Sequence, residues 1–141
     1  MPGANTQFSI AAHVLAAIAL YDGTFTSEHL AGSVNTNPVF VKRILVKLSK
    51  ANLVVSRVGK SGGYALARRP EMISLLEVHS AVTTPEPFAI HSYPERQDCV
   101  VSRNIKDVLG DLRSEAQTVL EGELRRTSLA DVVSKIRAQS I

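Results

Sequence analysis

A chain of 141 residues has room for one compact domain, or for a small domain with a dimerising appendage, but not for two full domains. With 45% hydrophobic and 21% charged residues it can bury a core, which excludes a disordered chain, and its abundance of Ala, Val and Leu leans helical. The formal charge of +3 is a modest excess of base that matters only where the charges gather on one face.

From Ile10 to Tyr21 nearly every position is apolar, so the first helix, capped by Ser9, is expected at the centre of the core, with His13 as a satisfied core histidine. The same run lacks a basic leader and is too short to span a membrane. Together with a single cysteine, which cannot close an internal disulfide, this points to a reducing, cytoplasmic setting. Asp22-Gly23 ends the helix. Thr26 or Ser27 opens a short second one over His29 to Ser33, with Leu30, Ala31 and Val34 inward.

Asn35-Thr36-Asn37-Pro38 is a start signal: Asn37 offers a capping oxygen, and Pro38 suits the first helical position, where its missing N–H costs nothing. The third helix should run from Pro38 to about Ala51. Val41, Ile44, Leu45 and Leu48 fall at helical spacing, which leaves Val39, Phe40, Lys42, Arg43, Val46 and Lys47 on a more exposed, basic side. Leu53 to Val58 reads as a strand, Gly59-Lys60-Ser61-Gly62-Gly63 as a basic turn, and Tyr64 to Ala67 as the returning strand. The turn lacks the residue order of a phosphate loop and opens no helix, so it is a hairpin tip.

Pro70 to Val82 gives another amphipathic helix, with Ile73, Leu75, Leu76, Val78 and Val82 as its stripe. Thr83 to Asp98 carries three prolines and little periodicity, which marks a linker and places the domain boundary there. Beyond it Ile105, Val108, Leu109, Leu112, Ala116, Val119, Leu120 and Leu124 form the apolar seam of a long helix, longer than a small domain needs. Ser128 with Asp131 makes a capping box for a last helix, Leu129 to Arg137.

The expected fold class is therefore mainly α with a small β-hairpin wing: residues 1–82 as a winged helix-turn-helix, residues 83–141 as linker and C-terminal dimerisation helices. A major groove about 12 Å wide accepts one helix, and a flexible basic hairpin reaches the flanking backbone or minor groove. The candidate DNA-contacting set is Ser9, Thr26, Asn35, Thr36, Asn37, Val39, Lys42, Arg43 and Lys47 around the second and third helices, with Arg57, Lys60, Ser61 and Tyr64 on the wing. The alternative from another class is a winged-helix protein-interaction module that does not bind DNA.

The run "TSEHLAGSVNTNPVFVKRILVKLSKANLVVSRVGKSGGYALAR", with "AAHVLAAIALYDG" before it and "ISLLEVHSAV" and "LRRTSLADVV" after it, resembles the Rrf2 family of bacterial transcription regulators. The resemblance implies that the helix from Pro38 to Leu48 enters the major groove, that the wing from Arg57 to Tyr64 contacts the minor groove or backbone, and that the long helix pairs two subunits. It also implies a dimeric repressor on a palindromic promoter site. Cluster-binding members carry three cysteines between the helix after the wing and the long helix. Here Cys99 stands alone, which is a poor set for an iron-sulfur cluster and points to the cluster-free, YwnA-like branch.

Cys99 reads either as an incidental residue or as a redox sensor, with Arg96 and Arg103 against Asp98 setting its charge surroundings. None of His13, His29, His79 and His91 has the spacing of a paired metal site, and Cys99 with His91 lacks an orienting third group for catalysis. The expectation is a non-enzymatic homodimer that binds double-stranded DNA, with no metal, no cofactor, no membrane partner and an unidentified effector.

Overall fold

The computed structural model describes residues 5–83 and 86–140. The chain divides into two compact units, one formed by Met1–Thr84 with Leu124–Ile141, the other by Pro85–Glu123.

The first unit is built on α1 (Gln7–Tyr21), whose Ala11, Val14, Leu15 and Ile18 are buried. Small and branched apolar residues on most of its circumference let α2 (Ser27–Val34), α3 (Pro38–Lys50), α4 (Leu75–Val82) and α6 (Leu129–Gln139) all pack against it. The cap of α1 is Thr6 rather than Ser9, which lies in the first turn, and Thr6 makes no side-chain capping bond. β1 (Val54–Arg57) and β2 (Gly63–Leu66) form an antiparallel hairpin in which Val54 faces Leu66 and Arg57 faces Gly63.

Pro70–Met72 is a single 3₁₀ turn instead of the start of α4. Proline at its first position fits, and the helix proper waits for Ser74, whose hydroxyl accepts the Glu77 N–H while Glu77 accepts the Ser74 N–H. Ser128 and Asp131 repeat the same reciprocal box at the start of α6. The two boxes are joined: the Leu75 N–H donates to the Thr127 carbonyl (2.9 Å) and the Leu129 N–H to the Ile73 carbonyl (2.8 Å). Leu129 and Val133 thereby enter the same core as Leu15 and Leu45. The sequence boundary at residue 82 groups α6 with the dimerisation segment, whereas the fold places it in the first unit.

Arg68 ties the end of the wing to α4, reaching the Asn52 and Met72 carbonyls and pairing with Glu77 at 2.8 Å. Burial by itself would raise the Glu77 carboxyl, but the Arg68 guanidinium and the Ser74 N–H outweigh it and hold the group below the usual carboxylate range.

The second unit consists of an irregular stretch and most of α5 (Val100–Arg125), a helix of 26 residues none of which is buried. No helix among the described residues is long and apolar enough to cross a membrane.

Candidate nucleic-acid interface

The helix-turn-helix is locked by caps at both ends of its turn. α2 opens on Thr26, whose hydroxyl accepts the His29 N–H at 3.1 Å. It closes on Asn35 in the left-handed region (φ 69), which asparagine tolerates better than most residues, with the Asn35 and Thr36 N–H groups both donating to the Ala31 carbonyl. Two residues on, the Asn37 side chain accepts the Val39 N–H at 2.8 Å, and Pro38 starts α3. Asn35 and Asn37 thus have structural duties that fix where the next helix points.

Val41, Ile44, Leu45 and Leu48 are buried, which orients α3 so that Val39, Lys42, Arg43, Val46, Lys47 and Lys50 are exposed. Lys47 Nζ donates to Gln7 Oε1 at 2.6 Å and so links α3 to the start of α1, leaving the ammonium two further N–H donors. Lys42 faces the acidic Glu28 on α2. That carboxyl is held below its ordinary range, chiefly by a hydrogen bond from its own backbone N–H, with the Ser27 hydroxyl and the Lys42 charge adding to it. None of the ion pairs among the described residues takes up Arg43, Lys47, Lys50, Arg57 or Lys60.

The wing is anchored below and open above. Phe25 and Tyr64 exchange backbone hydrogen bonds of 2.9 and 2.7 Å, an isolated antiparallel bridge that ties the segment before α2 to β2. Gly63, at φ 142, makes this possible, since a Cβ there would sit 2.6 Å from the Phe25 carbonyl oxygen. At the tip Arg57, Val58, Gly59, Lys60 and Ser61 are all exposed.

The structure thus brings Thr26, Asn35, Thr36, Asn37, Val39, Lys42, Arg43 and Lys47 onto one helix-turn-helix, and Arg57, Lys60 and Ser61 onto the wing tip. Two residues of the sequence-derived set do not join them. Tyr64 lies on β2 at the base of the wing, half-buried and packed against the core. Ser9 lies in a shallow groove among Ala12, His13, Ala16, Ser33, Val132 and Ile136, on the side of α1 that meets α6. His13 is in that groove too: it is exposed, not a core residue, and its Nε2 is hydrogen-bonded to Ser33 Oγ at 2.8 Å. Val46 and Lys50, which the sequence reading gave no role, share the exposed face. The signal was their spacing from Val39 and Arg43.

Elsewhere on the chain, Cys99 is exposed and caps α5, its Sγ accepting the Ser102 N–H at 3.4 Å. Arg96 is paired with Asp98 at 3.2 Å. His91 stacks near Tyr93, ring centroids 5.9 Å apart. Among the described residues no three His, Cys, Asp or Glu side chains come together as a metal site. On α5, Val108, Leu112 and Val119 are exposed, and Ile105, Leu109, Ala116, Leu120 and Leu124 are partly so.

Comparison with known proteins agrees with this geometry. The chain is 39% identical over 133 residues to YwnA of Bacillus subtilis (strain 168), named as a helix-turn-helix-type transcriptional regulator, covering 94% of this chain and 98% of that one. A crystal structure described as a DNA-binding protein shares 36% identity at a TM-score of 0.73, over 89% of this chain and 97% of its own. A transcriptional regulator from Lactobacillus plantarum shares 26% identity at a TM-score of 0.77, over 94% and 90%. A family model described as an iron-dependent transcriptional regulator, Rrf2, matches residues 4–135. The iron of that description does not fit the donors present, because a cluster is held mainly by several thiolates and this chain has one cysteine. With the family model matching residues 4–135, the chain belongs to the Rrf2 family of transcriptional regulators.

Proposed function

We propose that this chain is a sequence-specific DNA-binding regulator that works as a homodimer, represses from a palindromic promoter site, and acts by binding rather than by catalysis. One observation carries the reading: α3 is rigidly capped, buried on its apolar face, and exposes Lys42, Arg43, Lys47 and Lys50 beside a wing whose tip carries Arg57 and Lys60. A capped helix with exposed basic residues on its free face fits a major groove, and a basic hairpin beside it fits the adjoining backbone or minor groove. Asn35, Thr36 and Asn37 stand at the N-terminal end of α3, where helix-turn-helix proteins contact base edges.

Support for the dimer comes from α5, whose exposed Val108, Leu112 and Val119 recur at the spacing of a helix–helix seam. A two-fold pair of heads reads half-sites about one DNA turn apart, and such a complex on a promoter blocks polymerase. Control enters through the irregular stretch before α5, where Cys99 is exposed at the helix start. The test is a binding series between the full chain and DNA from its own upstream region. Expected are a shifted complex, a preference over unrelated duplex, and an affinity that falls steeply with salt. A chain with no salt-dependent DNA affinity belongs to the protein-interaction class instead.

A further inference from the structure

α3 exposes two large apolar side chains on its basic face. Val39 is 59% and Val46 46% exposed, while the intervening Lys42 and Arg43 are exposed between them. Valine is a poor choice for an uncovered helix position, since it loses rotamer freedom there and gains no burial. The two are seven residues apart, so they lie on the same face, about 10.5 Å apart along the axis. Each is presented by a fixed helix: the Asn37 side chain accepts the Val39 N–H, Leu45 and Leu48 anchor the helix around Val46 in the core, and a β-branched residue prefers a single χ1 rotamer in a helix.

A major groove offers one apolar group at its base edges, the C5-methyl of thymine. With bases stacked about 3.4 Å apart, a 10.5 Å separation spans roughly three base-pair steps. From this we infer that Val39 and Val46 each read a thymine methyl, the two thymines about three base pairs apart in every half-site, with the bases between them facing Lys42 and Arg43. The inference rests on α3 entering the major groove and adds what it selects there. A protein partner covering the same valines is the competing occupant.

The experiment uses the full chain and a duplex selected from a random library for tight binding. Each thymine in a half-site is replaced in turn by deoxyuridine, which removes only the methyl. Two positions about three base pairs apart should each lose about fourfold in affinity, the value of burying one methyl. Val39→Ala should bind thymine and deoxyuridine alike at one of these positions, Val46→Ala at the other. Both variants should keep the wild-type salt slope, since no charge is lost. The inference is overturned if specific DNA is bound but no thymine-to-deoxyuridine change matters, or if the alanine variants still discriminate; the DNA reading then stands. If no duplex is selected at all, both fall, and a protein partner becomes the occupant to seek.

Discussion

In α3 the residues at helical spacing, Val41, Ile44, Leu45 and Leu48, are buried against α1, α2 and α4, whereas in α5 no residue is buried and Val108, Leu112 and Val119 stand exposed. Both helices carry apolar residues three and four apart, so their sequences look alike on that measure. The difference lies in what covers the pattern. Around α3 the cover is supplied by the same unit, and the free face is left basic. Around α5 the described chain supplies no complete cover, and a helix of 26 residues carries exposed apolar residues along one stripe. Apolar periodicity therefore announces that a face will be covered without naming the partner.

This contrast can be broken at several points. The largest effect is expected from Leu45→Ala, which empties a fully buried site in the core: a loss of about 2–5 kcal/mol in denaturant unfolding, independent of protein concentration. Leu112→Glu makes no cavity in the chain and should instead raise the dimer dissociation constant at least tenfold, about 1.4 kcal/mol, by placing a charge in the seam. Sedimentation equilibrium checks this, and an unchanged dimer would remove α5 from the interface. Ser128→Ala deletes the hydroxyl that accepts the Asp131 N–H and should cost about 1 kcal/mol by loosening the start of α6, read as a lower Tm of the first unit.

The smallest effect concerns His79, whose Nδ1 is buried without a hydrogen-bond partner and whose ring meets Phe8 edge-on at 5.0 Å. Desolvation lowers its pKa from the ordinary 6.5, so the fold prefers the neutral imidazole. Its contribution is fully present above pH 6.5 and is lost as the pH falls through the lower folded value. The Tm of His79→Leu should therefore change less between pH 7 and pH 5 than that of the parent. A parallel pH profile would show that the histidine carries none of the dependence.

Much of the first unit was legible in the sequence because its signals are local. Asn37-Pro38, Ser128 with Asp131, the inward positions of α3 and the glycines of the wing each act within a few residues, and each does what its chemistry predicts. What escaped depends on partners far along the chain. His13 looks inward on a wheel of α1, yet it faces the groove made with Val132 and Ile136, more than a hundred residues away in sequence. Likewise α6 reads as an appendage until the bridge between Ser74 and Ser128 draws Leu129 and Val133 into the core. The pairing of Tyr64 with Phe25 is hidden for the same reason, because nothing nearby in sequence shows that the two exchange backbone hydrogen bonds. On the proposed interface, the exposed lysines and arginines were visible as a pattern. Val46 was visible too, but an isolated exposed valine carries no meaning until its neighbours are known to be a basic face.

The most direct trial of the central claim, that α3 reads bases while the wing holds the backbone, compares Arg43→Ala and Lys60→Ala on specific and unrelated duplex across a salt series. The account predicts that Arg43→Ala loses about 1–3 kcal/mol on the specific site and little on the other, whereas Lys60→Ala weakens both alike and lowers the salt slope by about one. Two variants that bind the specific site like the parent at every salt concentration would contradict it.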